Sequence, residues 1–314
     1  MSRLRSLLNP RNLTIILIVI MAAVLLVTII NSQDSAPHQD GKAEKGGNSA
    51  KVAVSVLPGG SGSADNLLPL GKSIGSYIDK NDPGSSIYLE NLTDKHAVRV
   101  GATESFDIKS LMKVPLVMSL YKAVENGSLS LDDEITLEQS EIDQSFGSLW
   151  KKGAGYKLTL DEAAKLSLQQ SDNTAIHALN DHVFKVMDPS ERAYRKVNID
   201  VHVDEKGDSY VSTENYSKIF RCLYDACYND RQNSDAILEL LKHTNFNAPN
   251  RQLPPIVEVA HKIGTNGERG NNDCGIVFSE KSPFIFCIML TATQPQADKD
   301  VSEIIKRTYD FMEK

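Results

Sequence analysis

Ser110-Leu111-Met112-Lys113 is followed along the chain by Ser171-Asp172-Asn173 and then by Lys262-Ile263-Gly264-Thr265. The first segment sets a hydroxyl beside an amine one helical turn away, so the amine can handle the hydroxyl proton. For that, Lys113 must spend time uncharged, and burial together with a second cation, Lys262, lowers a lysine pKa in the required direction. Ser171 offers a hydroxyl that relays a proton to a leaving group, and the Asn173 carboxamide can bond both the C=O and the N–H of a peptide-like substrate. Asp172, between two cleft-facing neighbours, reads as structural. Lys262 ends an apolar strand and would set a positive charge at the cleft edge for a substrate carboxylate. Gly264 leaves room for a substrate lying along that strand. The amides of Ser110 and Thr265 are the expected donors to a developing oxyanion. Ser-x-x-Lys alone is common in a chain of this length; the ordered set carries the signal.

Outward from these segments the pattern divides in three. Leu67 to Ile78 has helical spacing, and Ser86 to Leu92 and Ala97 to Ala102 read as two strands joined by Thr93-Asp94-Lys95. From Ser110 to about Asp230 the pattern is helical: Lys113 to Asn126 stops at Gly127, Thr159 to Gln170 opens on a Thr-x-x-Glu capping box, and Thr213 to Cys227 and Ser234 to Leu241 follow. Val257 to Lys262, Cys274 to Phe278 and Phe284 to Thr291 then read as strands, and Val301 to Glu313 closes as an amphipathic helix. Strands at both chain ends with helices between predict an α/β (α+β) fold. One antiparallel sheet of about five strands is built from both ends, flanked by helices and joined to a mainly helical subdomain. A cleft between these blocks is where a site is expected, and Phe146 and Trp150 are candidates for its wall.

The chain from about residue 67 onward resembles the class A beta-lactamase family of penicillin-recognising serine enzymes. The residues that carry the resemblance are Ser110 to Lys113, Ser171-Asp172-Asn173-Thr174-Ala175, and Lys262 through Gly270. The resemblance implies that Ser110 is the acylated nucleophile and Lys113 its base or proton shuttle. It further implies Ser171 as relay, Asn173 as substrate clamp, Lys262 as carboxylate anchor, and Ser110 with Thr265 as oxyanion hole. Its substrates would be beta-lactams or D-Ala-D-Ala-like cell-wall peptides, with no cofactor. Two positions depart from the family pattern. Ile263 stands where a hydroxyl residue is usual, and between Asp181 and Thr213 neither Glu191 nor Glu205 has the Glu-x-x-Leu-Asn setting that activates a deacylating water. Slow deacylation is the expectation. A non-catalytic module that binds cell-wall peptide or an envelope protein is the alternative, and an esterase or amidase is a third reading.

A net charge of −7 leaves no basic footprint for nucleic acid. Leu13 to Ile30 is an uncharged apolar run of about 18 residues, long enough to span a bilayer. Arg3, Arg5 and Arg11 precede it while Asp34 and Asp40 follow. The expected organisation is therefore a cytoplasmic segment 1–12, a single-pass signal-anchor helix 13–30, a flexible extracytoplasmic linker 31–66 and the hydrolase domain 67–314. A cleaved signal peptide is the rival for the span. Cys222, Cys227, Cys274 and Cys287 fall on the outer side, where bridges can form. Cys274 and Cys287 flank a turn symmetrically, and buried free thiols are the alternative. The seven His show no metal-ligand spacing.

Overall fold

Val52-Ala53-Val54-Ser55-Val56 alternates apolar and small residues with a period of two, which is strand patterning. In the computed structural model, which describes residues 52–59, 64–265 and 270–314, it becomes β1 (Val54–Leu57). The linker expected over 31–66 is thus interrupted by a strand that belongs to the folded domain. The expected segment 1–12, the span 13–30 and the linker as far as residue 51 lie outside the described residues. Among those described, no helix is long and apolar enough to cross a membrane.

Helix α1 (Leu68–Asn81) carries Pro69 in its first turn, where a missing N–H breaks no helical bond, and buries Leu70, Ile74 and Ile78. Strands β2 (Ser86–Asn91) and β3 (Ala97–Gly101) form an antiparallel hairpin. Short β4 (Phe106–Asp107) leads into a 3-10 turn at Lys109–Met112, which continues directly as α2 (Lys113–Glu125). Strands β5 (Glu134–Thr136) and β6 (Lys157–Thr159) bracket a long loop. Helix α3 (Leu160–Gln169) starts at the expected capping box: the Glu162 amide donates to Thr159 Oγ1, and the Thr159 amide donates to the Glu162 carboxylate. After it come α4 (Asn173–Val186), the single turn α5 (Ala193–Lys196), and a hairpin of β7 (His202–Val203) and β8 (Ser209–Val211) that pairs with β4. Helices α6 (Thr213–Asp225) and α7 (Arg231–Lys242) precede strands β9 (Glu258–Thr265), β10 (Asn271–Phe278) and β11 (Phe284–Leu290). Helix α8 (Gln296–Met312) closes the chain.

The main sheet is antiparallel with order β1-β3-β2-β11-β10-β9, so the expected five strands become six by the addition of β1. Sheet residues alternate between two apolar faces. Ile87, Leu89, Val98, Val100, Phe286 and Ile288 pack on α1 and α8. Tyr88, Ala260, Cys274, Ile276, Ile285 and Cys287 pack on the helical block, whose own core includes Val117, Leu120, Leu168, Leu179 and Phe220. β9 is an outer strand of the sheet and runs against the 3-10 turn of Lys109–Met112. The cleft opens at that junction.

Candidate active site

Four chain segments meet at Ser110. The 3-10 turn supplies Ser110 itself, which lines two cavities of about 890 and 500 Å3. Lys109, just before it, has a left-handed φ of 48°, a conformation that a non-glycine residue holds only under constraint from its surroundings. Part of that constraint is β9. A Cβ placed on Gly264 would sit 3.2 Å from the Ile108 carbonyl and 3.3 Å from Lys109 Cβ. Gly264 thus lies where the strand passes close to the nucleophile turn, and a side chain there would press on that turn.

Lys113 is the first residue of α2 and is buried. Its amine donates to the Ser171 carbonyl, lies 2.7 Å from Asn173 Oδ1 and 3.2 Å from Ser171 Oγ. Lys262, fully buried on β9, lies 2.8 Å from the same Ser171 Oγ and 2.9 Å from the Ile263 carbonyl. Both amines thus converge on one hydroxyl. Burial pulls the Lys113 pKa down to about 8 against the opposing pull of Asp172 and Asp143. Burial first, then the charge of Lys113, hold Lys262 well below the usual lysine range, while Asp273 opposes. The bond count divides the roles. A neutral Lys113 has two N–H groups for its two acceptors and a lone pair for the Ser171 proton, and Ser171 then accepts from Lys262. Ser171 and Lys113 thus share one hydrogen-bonded set, and Ser110 lines a cavity with each of them.

The Ser171-Asp172-Asn173 segment owes its shape to Asp172. Its carboxylate accepts the Ala175 amide, capping α4, and also the amides of Ser148 and Leu149. Gly147, at φ 96°, lets that loop approach, because a Cβ there would fall 2.2 Å from Asp172 Oδ2. Ser171 is left-handed at φ 56°, which breaks the chain between α3 and α4 and turns its side chain to the two amines. Asp172 is thus structural, as expected. Asn173 donates to Ser145 Oγ at 2.7 Å through its Nδ2, a partner that no sequence signal marked.

The 500 Å3 cavity is lined by Ser110, Ser145, Phe146, Ser171, Asn173, Ile263, Thr265 and Gln294. Phe146 is at the wall as expected, whereas Trp150 lines neither cavity and instead has Lys151 over its ring. Lys262 also lines neither cavity. The sequence puts it at the cleft edge, yet β9 turns it inward beneath Ser171. Ser110, Lys113, Asn173 and Thr265 also line the 890 Å3 cavity, which runs along α4 and the segment 192–203. Glu191 is exposed and pairs with Lys196 at 2.8 Å, Glu205 is exposed, and the carboxylates on this cavity are Asp143 and Asp200.

Both cysteine pairs are bridged, Cys222 to Cys227 and Cys274 to Cys287. The second joins directly paired residues of β10 and β11, and Cys274 stands opposite Lys262 across the β9–β10 ladder. On the other face of β9, buried His261 lies 2.7 Å from Asp273 and 3.0 Å from the Phe246 carbonyl. Among the described residues no group of three or more His, Cys, Asp or Glu is arranged to hold a metal ion.

A model of the beta-lactamase enzyme family matches residues 69–312. The beta-lactamase VEB-1 of Pseudomonas aeruginosa is 22% identical over 72% of this chain and 84% of its own. Among solved structures, PBP-A superposes with a TM-score of 0.71 at 19% identity, covering 79% of this chain and 97% of that one. A beta-lactamase from Sphaerobacter thermophilus gives 0.69 at 17% identity over 79% and 98%. The TLA-1 extended-spectrum beta-lactamase gives 0.69 at 16% identity over 79% and 100%.

Proposed function

We propose that this chain, which belongs to the beta-lactamase enzyme family, is a membrane-anchored extracytoplasmic serine hydrolase that forms an acyl-enzyme at Ser110. Its substrates are beta-lactams or D-Ala-D-Ala-like cell-wall peptides. The observation that carries this reading is the convergence of the Lys113 and Lys262 amines on Ser171 Oγ, beside a serine open to two cavities. In the acylation step the Ser110 oxygen attacks the substrate carbonyl, and its proton passes to neutral Lys113. Ser171 returns a proton to the leaving nitrogen, with Lys262 stabilising the charge that builds there. Asn173 clamps the substrate amide, and the amides of Ser110 and Thr265 receive the oxyanion.

Deacylation is slow in this reading. Neither Glu191 nor Glu205 lines a cavity at Ser110, so the usual carboxylate for water activation is missing from the site. PBP-A, similar in fold, has a mutant solved as an acyl-enzyme complex with penicillin G. The apolar run 13–30 behind three arginines supports the anchor, and the two disulfides suit an oxidising compartment outside the membrane. Intact-mass measurement of the full chain after exposure to penicillin G tests the reading. The expected result is a one-to-one adduct that persists for many minutes and is absent from Ser110→Ala. No adduct on the unaltered chain overturns the reading, and an adduct that vanishes within seconds overturns slow deacylation.

A further inference from the structure

The two cavities meet at Ser110, Asn173 and Thr265. The smaller holds Ser171, the proton relay, and so receives the leaving group. The larger is therefore the acyl side.

One face of α4 forms its wall. Asn173, His177, Asn180 and Phe184 recur at spacings of three and four and all line the cavity, which makes it a trench running along the helix. The rise from Asn173 to Phe184 is about 16 Å. Midway, the Asn180 carboxamide has no hydrogen-bond partner among the described residues, and an amide offers a peptide group both a donor and an acceptor. Leu116 and Ile199 supply apolar contact.

The far end carries two arginines, with the exposed Asp188 carboxylate as an acidic neighbour of Arg192. The Arg192 guanidinium stacks on Phe184 at 3.5 Å from the ring centroid, and its Nε is buried without a hydrogen-bond partner. Arg195 lines the same end, and neither arginine is in an ion pair among the described residues. Glu191, next to Arg192 in the chain, is taken by Lys196. Of the two carboxylates on the cavity, Asp143 is held by Ser145 and His177, and Asp200 is exposed. A stacked, planar donor with an unmet N–H is suited to a carboxylate.

We propose that this trench is an extended acyl-side subsite for an acidic peptide, whose carboxylate seats on Arg192 about five extended residues from the acylated carbonyl. It rests on Ser110 being the acylated residue, and it names the substrate class as a peptide stem with a side-chain carboxylate.

Binding is measured by calorimetry on the full chain carrying Ser110→Ala, so that no acylation is needed. The probes are N-acetylated peptides ending in D-Ala-D-Ala, with a single Glu walked along the stem and Gln at the same position as control. The expected result is a preference for Glu over Gln of about tenfold, greatest near the fifth residue from the acylated one. Adding Arg192→Gln brings the ratio to about one, with the fold checked by circular dichroism and thermal melting. Equal binding of the Glu and Gln peptides at every position, or a preference that survives Arg192→Gln in a folded protein, overturns the subsite. Absence of a penicillin adduct on the unaltered chain counts against the acyl-enzyme reading alone, because the calorimetry does not depend on it.

Discussion

The two sides of Ser110 are built to different standards. On the strand side, Lys113, Ser171, Asn173, Lys262 and Asp172 each have hydrogen-bond partners for their side-chain nitrogens and oxygens. On the α4 side, the wall mixes apolar, amide and charged residues, and the Arg192 guanidinium there is in no ion pair among the described residues. The difference separates two tasks. Forming an ester on a serine needs a base and a proton relay held to a fraction of an ångström. Breaking that ester also needs a group to activate water, and the segment 187–211 supplies none in the usual position. The proposed slow deacylation rests on this difference.

The sharpest way to break this contrast is to remove the nucleophile. Ser110→Ala is expected to abolish covalent labelling by a fluorescent penicillin, read on a denaturing gel, and residual labelling at full stoichiometry would move the chemistry elsewhere. Lys113→Met should slow acylation by about 10²–10⁴-fold, measured by stopped-flow with a chromogenic cephalosporin. The same experiment as a pH series carries a sign. Lys113 is the base only when neutral, and its pKa is lowered to about 8. Acylation therefore rises as pH increases through about 8 and levels off above it, whereas a rate that falls through that range contradicts the assignment. Loss of the Cys274–Cys287 bridge tests how far the strand side depends on rigidity behind Lys262. A double Ser replacement should lower stability by about 2–4 kcal/mol in urea unfolding. Gly264→Ala is the mildest probe. It presses on the turn that carries Ser110 and should lower stability by about 1–3 kcal/mol while reducing acylation, with an unaltered melting temperature as the contrary result.

Much of the strand side was legible in the sequence because its geometry is written in short local code. Ser110 and Lys113 sit one turn apart, Thr159 and Glu162 form a capping box, and the strands of the chain ends alternate with a period of two. What escaped was decided by partners far away in the chain. Lys262 reads as a cleft-edge cation, but which way a strand residue points depends on the sheet's packing, and here the helical block lies over it. Gly264 reads as space for substrate, and its close approach to Ile108 and Lys109 carries no signal in the sequence. Helix α4 went unrecognised as an element because Ser171 and Asp172 read as a motif, yet Asp172 with Ala175 three residues on is also an N-cap. Strand β1 is only four residues long and is swallowed by the Gly- and Ser-rich composition around it. The trench and its unpaired Arg192 arise from α4 meeting the 192–203 segment, which no single window of sequence reveals.

The pairing of β2 with β11 joins Ser86–Asn91 to Phe284–Leu290. Until the last strand has been synthesised, β2 has β3 on one edge and nothing on the other, and the layer of α1 has only half its sheet to cover. The domain therefore cannot complete its sheet while the chain is still being delivered. A chain of such high contact order folds slowly and exposes unpaired edges in the interval. Truncation before residue 290 would leave β1-β3-β2 without the strand that joins it to β10 and β9.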